Sequence, residues 1–172
     1  MSLSFLRRSP ELVVGASVIA LLLSGRPAQA QTAANASVTA TVAQPLAVHA
    51  TAPLAFGTVV PGTNKTVAVS DAAAAAFTIT GNALGVVSIS FTLPSTIASG
   101  GNTMPLANWT GRRNTTNNAG AGTDFTPSAS AVQGSLSASG ELYVFVGATA
   151  QPGASQAAGS YSGTITMTVV YF

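Results

Sequence analysis

Ala158-Gly159-Ser160-Tyr161-Ser162-Gly163-Thr164-Ile165-Thr166-Met167-Thr168-Val169-Val170-Tyr171-Phe172 closes the chain, and its side chains alternate. Tyr161, Gly163, Ile165, Met167, Val169 and Tyr171 share one parity, while Ser162, Thr164, Thr166 and Thr168 fill most of the other. In an extended chain successive side chains point to opposite faces, so this order makes one apolar face and one hydroxyl face. Val, Ile, Thr and Tyr also suit a pleated, half-buried surface. The spacing predicts a strand over Tyr161–Phe172, and similar alternation recurs upstream.

Working back from that end, Leu142–Val146 and Val132–Ser137 read as strands separated by the Ser139-Gly140 turn, and Pro152–Gly159 as a loop. Gly111–Thr123 (GRRNTTNNAGAGT) shows no apolar periodicity and is expected to be a long exposed loop. Leu106–Thr110 is a weaker strand, and Val86–Leu93 a clear one ended by Pro94. Asp71–Ala76 reads either as a helical turn capped by Asp71 or as a loop into Phe77–Thr80. Lys65–Ser70 is a short strand, and Leu54–Val60 another, closed by the Pro61-Gly62 turn signal. From Ala36 to Ala50 an apolar parity runs through Ala36, Val38, Ala40, Val42, Leu46, Val48 and Ala50, broken only by Gln44. Pro45 cannot donate a ladder hydrogen bond and should bend this strand or hold it at an edge. About eight short strands, with turn signals roughly every ten residues and no helix, predict an all-β, immunoglobulin-like β-sandwich. The chain has no cysteine, so the sandwich is disulfide-free.

The first residues follow a different logic. Arg7 and Arg8 precede an apolar run from Leu12 to Leu23, and Ala28-Gln29-Ala30 then offers a small-x-small cleavage site. Such a run is shorter than the roughly 20 residues of a spanning helix, so residues 1–30 are expected to be a secretory signal peptide. The protein is expected to be exported to the periplasm, cell surface or medium, with no integral membrane helix in the mature chain. Residues 31–50 then form an N-terminal extension or strand, and 51–172 the sandwich domain. Cleavage removes Arg7, Arg8, Arg26 and Glu11, leaving Lys65, Arg112 and Arg113 against Asp71, Asp124 and Glu141. Three charges of each sign leave no basic surface to track phosphates, which argues against nucleic-acid binding.

No constellation of reactive groups is evident. His49 is the single imidazole and sits on the less apolar face of its strand, as a solvated edge residue would. Asp71, Asp124 and Glu141 lie far apart, each beside a turn-like segment, and read as turn or cap residues. Gly81-Asn82-Ala83-Leu84-Gly85 is glycine-rich but lacks the following helix of a phosphate cradle. The reading is therefore of a protein that is not an enzyme, with no catalytic residues, cofactor or metal.

The closing segment resembles the terminal strand of bacterial fimbrial subunits and of spore-coat-protein-U domains, with their A-G-x-Y-x-G pattern followed by alternating apolar residues. Pilus subunits commonly carry a glycine fourteen places from the end and a penultimate tyrosine, positions held here by Gly159 and Tyr171. Ala36–Val48 (ASVTATVAQPLAV) looks like the N-terminal strand of alternate chaperone–usher subunits. Leu54–Gly62 (LAFGTVVPG) and Phe77–Gly81 (FTITG) resemble domain-of-unknown-function family 4402. The fimbrial resemblance implies a sandwich missing one strand, filled first by a periplasmic chaperone and then by the next subunit's extension at an outer-membrane usher. On that basis Val38, Ala40, Val42 and Leu46 would be the donated side chains of a head-to-tail self-polymer. Gly159, Tyr161, Gly163, Ile165, Met167, Val169 and Tyr171 would form the C-terminal assembly strand. Burying two valines and a leucine at about 1.5–3 kcal/mol each gives roughly 5–9 kcal/mol gross. The same alternation equally suits the first strand of a self-sufficient sandwich. That alternative is a monomeric secreted or periplasmic binding module, with a ligand groove near Trp109 or Tyr143.

Overall fold

The structure is a computed structural model that describes residues 33–172; the signal expected over residues 1–30 lies outside the described residues. Residues 40–172 form one compact unit, and residues 33–39 belong to a separate one and have no regular secondary structure. All ten strands lie in the larger unit: β1 (Ala47–Ala52), β2 (Lys65–Val67), β3 (Ala75–Thr80), β4 (Val86–Thr92), β5 (Thr96–Ser99), β6 (Asn102–Asn114), β7 (Thr123–Phe125), β8 (Val132–Ser135), β9 (Glu141–Ala150) and β10 (Thr166–Tyr171). No helix among the described residues is long and apolar enough to cross a membrane.

The strands form two antiparallel sheets. The larger runs β1-β3-β9-β6-β5, with β2 also on β9 and β7 on β6; the smaller runs β10-β4-β8. Strand β9 is the spine of the larger sheet, since β3 pairs with Glu141–Val146 and β2 with Ala148–Ala150 along one edge, while β6 takes the other. On β9, Val144, Val146, Ala148 and Ala150 are fully buried. The core between the sheets combines Phe77 and Ile79 of β3, Val87, Ile89 and Phe91 of β4, Leu136, and Leu142, Val144 and Val146 of β9. Phe91 meets the Phe77 ring edge-on at 6.4 Å and stacks with Phe125 at 5.9 Å.

Several sequence expectations are corrected. Gly111–Thr123 is not one long loop: Gly111–Asn114 end the longest strand, and Thr123 begins β7, which pairs back on it. The ladder was hidden because Gly111 has no side chain, its place being filled by the Phe125 ring 2.6 Å from where a Cβ would stand. Beside it the Arg113 guanidinium lies 5.9 Å from the centre of the Phe125 ring. Asp124 is accordingly a strand residue paired with Arg112 rather than a turn residue. Asp71 does close a turn, with its Oδ2 accepting from the Ala68 amide, so the loop alternative for Asp71–Ala76 is the one realised. The expected strand over Ala36–Ala50 is regular only from Ala47, and the boundary drawn after residue 50 falls inside β1. Leu54–Val60 joins no ladder and bends at Gly57-Thr58, with Gly57 at φ 62°, and the closing strand is regular only over Thr166–Tyr171.

Candidate functional site

The closing segment changes sheets. At Ser162 it bridges Ala98 of β5, exchanging two backbone hydrogen bonds of 2.9 Å, and from Thr166 onward it pairs with β4. Two glycines permit the approach to β5. A Cβ at Gly159 would stand 2.5 Å from Ser99 Oγ, and one at Gly163 would stand 2.8 Å from Ile97 Cγ2. Tyr161 between them is half-buried, its hydroxyl donating to the Ala157 carbonyl at 2.8 Å and accepting from Gln156 Nε2 at 2.6 Å. The regular glycine and tyrosine spacing thus serves the crossing, and Ile165, Met167, Val169 and Tyr171 serve the sandwich interior.

The chain end is latched by Tyr171. Its hydroxyl accepts from the Asn82 amide at 2.8 Å and donates to the Gln44 carbonyl at 2.9 Å. Gly81 and Gly85 flank the ring, with a Cβ at Gly81 only 2.5 Å from Tyr171 Oη. The GNALG segment is therefore a turn that seats the tyrosine. Asn82, whose Oδ1 also accepts from the Gln44 amide, is a residue the sequence reading did not single out.

Burial falls from the central strands of each sheet to the strands beside them. Along β4 the inward residues Val87, Ile89 and Phe91 are buried, and along β3 so are Phe77 and Ile79. Their edge neighbours are not. On β10, Met167, Val169 and Tyr171 face the same core yet remain half-buried. On β1, Val48 and Ala50 stand opposite Ile79 and Phe77, yet Val48 is 36% exposed and Ala50 is exposed. The outer edges of β1 and β10 have no ladder partner among the described residues. An open seam therefore runs between the sheets on this side.

A cleft of about 750 Å³ opens beside Ile165, between residues 54–61 and 156–165, and is lined also by Ile97, Met104, Leu106 and Trp109. Trp109 reaches this lining through a β-bulge. The register of β6 against β9 slips between Ala107 and Thr110, with Asn108 at φ 52°. The extra residue lets Leu106 and Trp109, three apart, face inward together. Asn tolerates the left-handed conformation better than most residues.

The proposed donor residues fall into two groups. Val38 is 96% exposed and Val42 93%, with Ala40 also exposed. Leu46 instead packs against its own core beside Gly81, so it belongs to the domain that carries it. Tyr143 takes no part in the seam; crowding around it and the Glu141 carboxylate push its phenol above the ordinary range. His49 is exposed on β1. Among the described residues no three His, Cys, Asp or Glu side chains gather as metal ligands would.

A cysteine-free antiparallel β-sandwich is the class these features define. The chain belongs to the family described as Domain of unknown function (DUF4402), whose model matches residues 46–171. That span begins at the first side chain to enter the core and ends at the tyrosine latch. No curated protein matches the sequence.

Proposed function

We propose that this protein is an exported, non-enzymatic structural subunit that accepts an extended strand in the seam between β1 and β10. The donor would be the N-terminal extension of another copy, giving head-to-tail fibres at the cell surface after a periplasmic chaperone has held the seam. The observation that carries this reading is the burial contrast between neighbouring strands. Inward residues of β4 are buried while those of β10, one ladder further out, are half-exposed.

β-Augmentation fits this seam on both counts it requires. The free edge of β10 offers main-chain donors and acceptors, and alternate apolar side chains would enter the interior. Val38, Ala40 and Val42 have the required spacing and are exposed. With Leu46 committed to its own core, the gross gain falls to two valines, roughly 3–6 kcal/mol before ladder bonds and ordering costs. The head-to-tail arrangement does not close on itself, so it propagates.

The test uses a full mature chain carrying Val38→Asp and Val42→Asp, which could accept but not donate. A fluorescent peptide of residues 34–45 should bind it with saturable anisotropy, and the unaltered mature chain should form ladders on electrophoresis. A mature chain that stays monomeric, with no peptide uptake, would overturn the proposal in favour of a self-sufficient binding module.

A further inference from the structure

The outer face of the smaller sheet is apolar at one end. Phe172 lies across from Val86, its amide donating to the Val86 carbonyl at 3.0 Å, and Val170 stands on the same face. The turn leading into β4 carries Leu84. Phe172 is 81% exposed and Leu84 70%, and Val86 and Val170 are exposed as well. Leu84 also has φ 58°, a conformation a leucine rarely takes, so the turn presents this side chain at a conformational cost. Exposed apolar residues gathered at one end of a sheet mark a contact surface.

This patch shares its end of the molecule with the point where the extension leaves. Gln44 is held by Asn82, two residues before Leu84, and by Tyr171, one before Phe172. On the strand-addition reading above, the last inserted side chain is Val42. Only Ala43 then separates the inserted strand from an anchored Gln44, a reach of roughly 7 Å. The donor's body must therefore rest on the acceptor.

The acceptor offers one end for it. At the Tyr171 end its own Gln44–Leu46 already covers the seam. The open end is the cleft beside Ile165, walled by residues of the 54–61 segment, whose Val60 is exposed outside the cleft lining. We infer that Leu84, Val86, Val170 and Phe172 form a second contact with the next copy of this chain, seated on its 54–61 wall beside Val60. This inference rests on the strand-addition reading and adds a body-to-body contact to it. The fibre would then be held stiff at each joint rather than strung on single strands.

The experiment compares three ligands for the Val38→Asp/Val42→Asp acceptor. They are the peptide of residues 34–45, a donor chain whose own seam is blocked by Met167→Lys, and that donor with Leu84→Asn and Phe172→Ser added. Should Met167→Lys not fold by circular dichroism, Ile165→Lys serves as the block. Asn suits the positive φ at position 84, so the added changes should leave the fold intact. The donor chain is expected to bind at least tenfold tighter than the peptide, and the patch variant to lose that advantage. Equal binding by the two donors would overturn the second contact while leaving strand addition standing. Failure of the peptide and both donors to bind would overturn strand addition itself, and the second contact with it.

Discussion

Substituting Gly81→Ala sets a methyl group against the tyrosine latch, and its cost can be worked from the geometry. The new Cβ would lie 2.5 Å from Tyr171 Oη, 3.0 Å from Leu46 Cδ1 and 3.2 Å from Leu136 Cδ2. The leucine contacts are with side-chain ends that can give way, so the clash is chiefly with the hydroxyl, which two hydrogen bonds hold in place. Overpacking of this kind costs about 1–3 kcal/mol, offset by about 0.4–1 kcal/mol from stiffening the unfolded chain. Tyr171→Phe alone should cost about 1–2 kcal/mol, because the Asn82 amide loses its acceptor. Combined, the two changes should not add. With the hydroxyl gone the methyl group has room, so the double variant should be nearly as stable as Tyr171→Phe. The coupling should reach at least about 1 kcal/mol, which separates contacting sites from independent ones. Urea titration or calorimetry of the four proteins reads this out, at roughly 3–5 °C of Tm per kcal/mol for a domain of this length. Additivity within about 0.5 kcal/mol would refute the latch geometry.

Ile89→Ala empties a fully buried position on β4 and should cost about 2–5 kcal/mol by equilibrium unfolding, far more than an outward change at Ser90. Met167→Lys, in the half-buried seam, should leave a folded chain because the lysine stem can lie along the apolar surface with its ammonium in water. It should nonetheless abolish uptake of the peptide of residues 34–45 in the anisotropy assay. The hydrogen bond from Arg112 holds the Asp124 carboxyl below the ordinary aspartate range, and their opposite charges act in the same direction. A depressed folded pKa adds stability that is present above the unfolded value of about 3.9 and is lost as pH falls through the folded one. Carboxyl NMR should find Asp124 titrating low in the unaltered chain and returning toward the ordinary range in Arg112→Gln, with only a small effect on unfolding because the pair is exposed.

Much of the β architecture was legible in the residues. Alternation over Val86–Leu93 and Leu142–Val146 located core strands, because a strand with one face in the interior must place apolar side chains at every second position. The absence of cysteine and the spread of turn residues were likewise sufficient for a disulfide-free sandwich. Alternation misled where it met an edge. Ala36–Thr41 has the pattern of a strand, but a strand also needs a neighbour for its backbone, and the pattern says nothing of where that neighbour is. Conversely, Gly111–Asn114 lacks the pattern and is a strand, because Gly111 lies under the Phe125 ring and β7 supplies its backbone partners.

The candidate site divides along the same line. The sequence by itself determined that Gly159, Tyr161, Gly163 and the alternating residues through Tyr171 form one unit, since their spacing is a local property of an extended chain. Tertiary structure alone decided what that unit does. The glycines admit β5, the GNALG turn receives Tyr171, and β10 lies at an edge with its inward face half-covered. It also separated Leu46, packed in its own core, from Val38 and Val42, exposed on the extension, although all three share one parity. Parity specifies which side chains travel together along a strand. Burial depends on which other strands arrive from distant parts of the chain, and those meetings are settled only when the sheets close.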